Sequence, residues 1–338
     1  MKAKKFCIIA LVLAIVLLIA PISESWAEEE PEVKISGDYD YIVLDDGTAC
    51  IKQYNGKDKK VIIPDKLDEK RVTGICDSAF YECKNLTEIK IPDSVQSIGD
   101  IAFLGCENLT EINIPDSVEK IGVNPFDECI NLLNIEISDN HPILAFIDNA
   151  LFYKPEKKIV SYLSTSKKNK YEIPEGIESI GDLAFSWCTN LTEIKIPDSV
   201  QSIGNSAFLG CTNLTEIEIP DSVQSIGYCG FLWCENMKKI TIPDGLQSIG
   251  DHAFDGCSNL TEITIPDNVK SLGDSAFYKC KNLTKIKISS SVNFIGKDAF
   301  KDCDNITVTV EKGSFAEKYC QENNINYMYE DSLDWLKD

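Results

Sequence analysis

Residues 91–113 read IPDSVQSIGDIAFLGCENLTEIN, and Ile114-Pro115-Asp116-Ser117 begins the same phrase again. The period is 23 residues. Phe80, Phe103 and Phe126 keep it, and so do Phe185, Phe208, Phe231, Phe254, Phe277 and Phe300. Three residues after each Phe stands a Cys: Cys83, Cys106, Cys129, Cys188, Cys211, Cys234, Cys257, Cys280 and Cys303. Four residues before it stands Gly in eight of nine copies, with Cys76 in the first. Self-similarity at a fixed period of this size marks a repeat architecture.

One unit is readable as physics. In Leu86-Thr87-Glu88-Ile89-Lys90-Ile91 the apolar residues stand at the first, fourth and sixth places, the L-x-x-L-x-L pattern of a repeat strand. Two-residue alternation turns Ile89 and Ile91 inward and Glu88 and Lys90 outward. Pro92 lacks an N–H and ends the strand, and Asp93-Ser94 makes the turn. Val95 and Ile98 return to the core. Gly99 is expected in a conformation that a side chain would strain, and Ala102-Phe103 as a short helical turn on the far side. A single unit cannot bury its apolar face, whereas stacked neighbours can. The expected fold is a leucine-rich-repeat solenoid, right-handed and β-rich, with one continuous parallel sheet on its concave side.

The unit resembles the BspA-like (Treponema pallidum type) leucine-rich repeat family, whose 23-residue repeats carry the same I-G-x-x-A-F-x-x-C-x-x-L-x-x-I-x-I-P pattern. The resemblance covers about residues 60–310. It implies an extracellular or cell-surface protein of the adhesin or host-protein-binding kind, and supplies no ligand. The ending after Gly313 is similar to the S-x-A-x-x-Y-C/A closure of many arrays in that family.

The ends and one interior stretch depart from the repeat. Residues 1–27 join Lys2, Lys4 and Lys5 to an apolar run from Phe6 to Ala20 and a small-x-small site at Ser25-Trp26-Ala27, which reads as a signal peptide. The run is short of a membrane span, so the mature chain is expected to be exported without stable membrane insertion. Residues 28–64 are expected to form an N-terminal β cap, with Asp46-Gly47 and Asn55-Gly56 as hairpin turns. Residues 65–310 hold the repeats, and 311–338 a helix-strand cap. From Phe126 to Phe185 the spacing is 59 residues, 23 plus 36. Within this long unit, about 130–180, Ala150–Tyr153 and Lys158–Leu163 flank Lys154-Pro155-Glu156-Lys157 as a hairpin. It reads either as a rung with an expanded loop or as a side wall beside a binding face.

Composition excludes several function classes. Lys plus Arg is 33 against 54 Asp plus Glu, a net charge of −21, or 30 against 53 without the first 27 residues. Such acidity repels phosphate backbones and anionic headgroups, so no nucleic-acid partner is expected. The chain has two His, His141 and His252, which disfavours His-based catalysis and multi-His metal sites. Fourteen Cys in an exported chain invite disulfides, but nine occupy equivalent places in successive rungs, with nearly parallel Cα–Cβ vectors that cannot face one another. They read as a ladder of buried thiols. A disulfide is expected only from Cys50, Cys76, Cys229 and Cys320. No C-x-x-C pair, G-x-S-x-G, Walker loop or H-E-x-x-H occurs. No catalytic residue, metal site or cofactor is assigned.

The outward strand positions are the site candidates, two columns with strands about 4.8 Å apart. Glu193, Lys195, Glu216, Glu218, Lys239 and Glu262 form the middle of that concave strip. Trp187 and Trp233 stand two residues after their Phe, at a tolerant place expected to be exposed, and are candidates for a contact edge. The alternative is that the charges solvate the sheet and the Trp rings cover neighbouring rungs. The reading is a secreted, non-catalytic binding surface for an extracellular or cell-surface protein, or for a glycan. The alternative reading is a cell-envelope scaffold or spacer.

Overall fold

In the computed structural model, residues 31–330 are described, and they stack into a solenoid. Residues 1–30, with the segment 1–27 read as a signal peptide, and residues 331–338 lie outside them. Every regular rung contributes three pieces of backbone. The L-x-x-I-x-I segment forms the concave strand, as in Glu193–Lys195 and Glu216–Glu218, with its Ile buried and both flanking side chains exposed. The Ser-Ile pair ahead of the Gly forms a second, two-residue parallel strand, as in Ser202–Ile203 and Ser225–Ile226. This second ladder runs unbroken from Lys158–Tyr162 to Phe294–Ile295. Between the two strands of each rung lies the Phe-bearing turn.

The concave side is not one continuous sheet. It consists of three four-stranded sheets, from Lys60–Ile62 to Asn134–Ile137, from Lys170–Glu172 to Lys239–Thr241, and from Glu262–Ile265 to Asn326–Tyr329. The long unit interrupts the first boundary. At the second, Lys239–Thr241 and Glu262–Ile265 lie side by side without ladder pairing.

The Phe-bearing turn is not helical. The residues two before and two after the Phe adopt left-handed backbone in every rung except at Asn124, as at Ser206 (φ 53°), Cys229 (φ 56°), Trp187 (φ 55°) and Trp233 (φ 59°). Outside Gly such a residue costs about 1–2 kcal/mol. The return is three columns of backbone hydrogen bonds from rung to rung. Ser206, Phe208 and Gly210 donate to the carbonyls of Tyr228, Gly230 and Leu232, at 2.8–2.9 Å. Seven such bonds form each outer column and nine the middle one, where Tyr54 and Tyr162 also donate; all are 2.7–3.0 Å long and run from an N–H to the following rung's C=O. The tolerant place held by His252 is buried at Ile101, Leu183, Ser206 and Cys229. Gly99 also corrects expectation. Its φ is not positive; instead an added Cβ would lie 2.5 Å from the Asp77 nitrogen and 2.7 Å from the Cys76 carbonyl carbon. Gly is needed there because rungs approach closely.

Inside the turn the Phe rings stack. Phe185, Phe208, Phe231, Phe254, Phe277 and Phe300 follow at centroid distances of 5.0–5.6 Å with planes within 16°. Each ladder thiol points at a carbonyl of the rung before: Cys211 Sγ donates to Phe185 O at 3.1 Å and Cys234 Sγ to Phe208 O at 3.3 Å. Burial pushes the Cys211 thiol up to about 12, which keeps it protonated and unreactive. The ladder Cys are free, and all except half-buried Cys83 are buried. The disulfide joins Cys50 to Cys76, two of the four residues outside the ladder.

The long unit is neither an expanded loop nor a side wall. Leu144–Ile147, Ala150–Tyr153 and Lys158–Tyr162 form an antiparallel meander inside the solenoid. Its side chains alternate between two separate cores. Leu144, Leu151, Val160 and Leu163 pack with the rungs before it, while Ala150, Phe152, Ile159 and Tyr162 pack with the rungs after it. It is a septum with two apolar faces. Tyr162 takes the place of a rung Phe: its N–H donates to Ala184 O, its carbonyl accepts from Cys188 Sγ, and its ring stacks 5.2 Å from Phe185.

The first cap is built on the same plan. Lys34–Ser36, Tyr39–Val43 and Ala49–Tyr54 make an antiparallel meander whose last strand pairs in parallel with the repeats. Tyr54 donates its N–H to Ala79 O and stacks 5.4 Å from Phe80. Gly47 turns the hairpin at φ 79°. Asn55-Gly56 turns no hairpin, because the chain crosses there to the concave strand Lys60–Ile62. At the other end the helix Phe315–Glu322 starts at Ser314, whose Oγ accepts from Glu317 N at 3.2 Å. The strand Asn326–Tyr329 then closes the third concave sheet.

Candidate functional site

The middle concave sheet places the charged candidates by register. Lys170, Glu193, Glu216 and Lys239 form one column, and Glu172, Lys195, Glu218 and Thr241 the other. All six candidate residues are exposed. Glu193, Lys195, Glu216, Glu218 and Lys239 line one shallow groove of about 590 Å³, edged by Asp198 and Pro220. Lys239 continues into a second of about 550 Å³ with Glu262, Thr264, Lys285 and Lys287. Glu262 belongs to the third sheet, so the strip crosses a sheet boundary.

The six are not equivalent. Lys170 Nζ lies 2.5 Å from Glu193, and Lys195 Nζ lies 2.5 Å from Glu172. Those hydrogen bonds raise both lysines above their ordinary range, though pairs this exposed contribute little to stability. Among the described residues Glu216, Glu218, Lys239 and Glu262 have no salt-bridge partner. Lys170 and Glu172 were missed in the sequence, although Tyr171-Glu172-Ile173-Pro174 carries the strand-to-turn signature.

The Trp candidates sit in the turn columns, away from the concave strands, and are half-buried rather than exposed. Trp187 lies over Gly210, where an added Cβ would be 2.6 Å from the indole, and Trp233 lies over Gly256 in the same way at 2.5 Å. The two rings are 6.3 Å apart and tilted by 45°. The Trp rings therefore cover neighbouring rungs.

Both His are held by hydrogen bonds to neighbouring groups. His141 is buried: its Nδ1 accepts from Leu144 N at 3.1 Å, which leaves Nε2–H to donate to Pro115 O at 3.1 Å. Burial lowers its pKa. His252 Nδ1 is 3.0 Å from Asp255 Oδ2, with the ring edge-on to Tyr228. No cluster of three or more His, Cys, Asp or Glu able to hold a metal ion occurs among the described residues. No described helix is long and apolar enough to cross a membrane. Several N-x-T asparagines are occupied in ladders: Asn213 Nδ2 donates to Thr189 O at 2.7 Å, and Asn259 and Asn282 extend the row.

A further cleft of about 410 Å³ opens where the septum separates the rungs, lined by Asp100, Asn124, Lys158 and Asp182 among others. Nothing in the repeat pattern announced it, since it arises from residues 59 apart meeting across the long unit.

Solved structures with the same fold come from bacteria. A leucine-rich repeat protein from Bacteroides ovatus is 29% identical, aligned over 85% of this chain and 71% of that one, with a TM-score of 0.53. One from Eubacterium ventriosum is 22% identical over 80% of this chain and 94% of that one, with a TM-score of 0.54. The pneumococcal vaccine antigen PcpA is 16% identical over 89% and 99%, with a TM-score of 0.54, a likeness of fold alone. No curated protein matches the chain. The pattern described as BspA type Leucine rich repeat region matches in six copies, over residues 54–170, 160–238 and 178–307. Repeats of this kind typically bind proteins rather than catalyse reactions, and over most of its length this chain belongs to the BspA-type leucine-rich repeat family.

Proposed function

We propose that the protein is a secreted or cell-surface, non-catalytic binding module of the adhesin kind, and that the middle concave strip is its contact face. The observation that carries this reading is the contrast within that strip. Glu216 and Glu218 stand exposed on one strand without salt-bridge partners, between a paired row at Glu193 and Lys195 and the lysine-bearing row at Lys239. A partner presenting basic groups, on an extracellular or cell-surface protein, would meet that row. A glycan is the alternative ligand class. The second functional reading is a scaffold without a ligand, favoured by the cross-strand pairs that neutralise part of the face.

The test is binding of the purified chain to immobilised extracellular proteins from the host. Exchanging Glu193, Glu216 and Glu218 together for Gln should weaken capture roughly tenfold at low salt and lose most of that difference at high salt. Folding should survive, because all three side chains face water. Equal capture by the triple variant would move the site to the Trp187–Trp233 edge, and no capture by the unaltered chain would favour the scaffold.

A further inference from the structure

The septum divides the solenoid into two arrays, and each begins with the same device. A three-stranded antiparallel meander leads into the first array through Tyr54 and into the second through Tyr162. Across the joint both parallel ladders stop. Lys120–Ile121 and Asn134–Ile137 are terminal strands of their sheets, and no strand pairing crosses the joint among the described residues. The apolar core also separates there into two clusters.

Side-chain bonds replace the missing ladders. Asn124 Nδ2 donates to Leu183 O at 2.7 Å, Thr165 Oγ1 donates to Leu132 O, and Ser186 Oγ donates to Asp127 Oδ1. Asp127 is 3% exposed, and its second oxygen has no hydrogen-bond partner. The titratable groups facing it are Glu128, next in the chain, and the Cys188 thiol of the opposite rung, neither of which supplies positive charge. In the neighbouring cleft stand Asp100, Asp182 and Lys158, and the Lys158 ammonium lies 2.5 Å from Glu156. A buried carboxylate without a cation is costly, whereas a carboxylic acid there is not.

We propose that this joint is a proton-operated latch between two separately capped arrays, closed while Asp127 is protonated and loosened when it ionises. Burial, with the like charge of Glu128 adding to it, pushes the Asp127 carboxyl up to about 7. An opened joint would return it to the ordinary carboxylate range near 4. The closed form therefore binds the proton more tightly. Its advantage is complete below about pH 4, fades as pH rises through 7, and levels off above.

Hydrogen exchange read by mass spectrometry on the full chain tests this. With those two values, linkage makes the opening constant of the joint rise roughly 30-fold between pH 5.5 and 8 after correction for intrinsic exchange. The rise should appear in peptides around Asn124–Asp127 and Leu183–Ser186, and not around Phe254. Asp127→Asn, which keeps the shape without the charge, should hold the joint closed at both pH values. Wild-type opening that is flat with pH, or an Asn variant that follows the wild-type curve, would overturn the latch. Should that variant fail to fold, Ser186→Ala removes the donor that favours the carboxylate and should move the midpoint upward. An unmoved midpoint would equally overturn the proposal.

Discussion

Phe208→Ala tests the central claim that the ring column holds the rungs. Phe208 is 0% exposed, with Phe185 at 5.3 Å and Phe231 at 5.0 Å on its two sides. Truncating a buried Phe to Ala costs about 3–5 kcal/mol. Two stacked contacts are lost as well, each about 0.5–1.5 kcal/mol beyond area burial. The rungs cannot collapse into the gap, because the Phe208 N–H bond to Gly230 O and the Cys234 Sγ bond to Phe208 O are made by backbone that Ala retains. The expected loss therefore lies in the upper half of the range, about 4–5 kcal/mol. It should fall mainly on the second array, since solenoid energetics are local. Guanidinium unfolding followed by circular dichroism, with hydrogen exchange to locate the loss, measures it. Phe294→Ala is the control, since that ring is 52% exposed and should change stability by less than about 0.5 kcal/mol. A Phe208 variant within about 1 kcal/mol of wild type, or no worse than the control, would refute the column as core.

Other outcomes follow from the same geometry. In Gly204→Ala the new methyl would sit 2.6 Å from the Asp182 nitrogen and 2.7 Å from the Gly181 carbonyl carbon, so a loss of about 3 kcal/mol is expected. Gly176→Ala, at φ 87° in open space, should cost only about 1 kcal/mol; equal losses in thermal melts would show that close approach is not the reason for the Gly column. Alkylation in denaturant of the chain lacking its first 27 residues should count eleven free thiols and one disulfide, Cys50–Cys76. Two or more disulfides by intact mass would contradict the ladder. Because burial lowers the folded-state pKa of His141, its contribution is present above about 6.5, the unfolded value, and is lost as pH falls through the lowered one. His141→Gln should flatten that acid limb in melts from pH 7 to 4, and an unchanged limb would assign it to other groups.

Much of this was legible because a repeat states its own rules many times. The Ile alternation in Glu193–Lys195, the Phe stack and the parallel thiols follow from spacing alone. What escaped was of two kinds. Contacts between rungs leave no mark on the period: Gly99 looked like a conformational requirement and is a steric one. The left-handed residues flanking the Phe column carry only a partial sequence signature, Gly105, Gly210 and Gly256, because Ile101, Trp187 and His252 are poor choices for that backbone and are held there by the bonds of the three columns. The septum escaped for the opposite reason. Its run Ala150–Tyr153 is apolar at every place, which suits a strand buried on both faces, but periodicity alone does not distinguish that from a hairpin lying outside. The charged residues stand exposed on their strands as alternation dictates, but alternation does not say that Glu193 and Lys195 are paired while Glu216 and Glu218 are not.

The three turn columns give the molecule an electrical direction. In a parallel β ladder neighbouring carbonyls point both ways and their dipoles nearly cancel, but in these columns every N–H points toward the C-terminal end. Each peptide unit carries about 3.5 D, and aligned units sum as they do in an α-helix. Here the sign along the chain is reversed, and because the columns are interrupted between the rungs of Phe126 and Phe185, each array has its own positive pole at its last rung, Phe126 or Phe300, and its negative pole at its first, Tyr54 or Tyr162. Superposed on a net charge of −21, this polarity distinguishes the two ends to any approaching molecule. Two copies drawing near along the axis, both strongly negative, would repel least in a single sense, with the Phe300 end of one toward the Tyr54 end of the next.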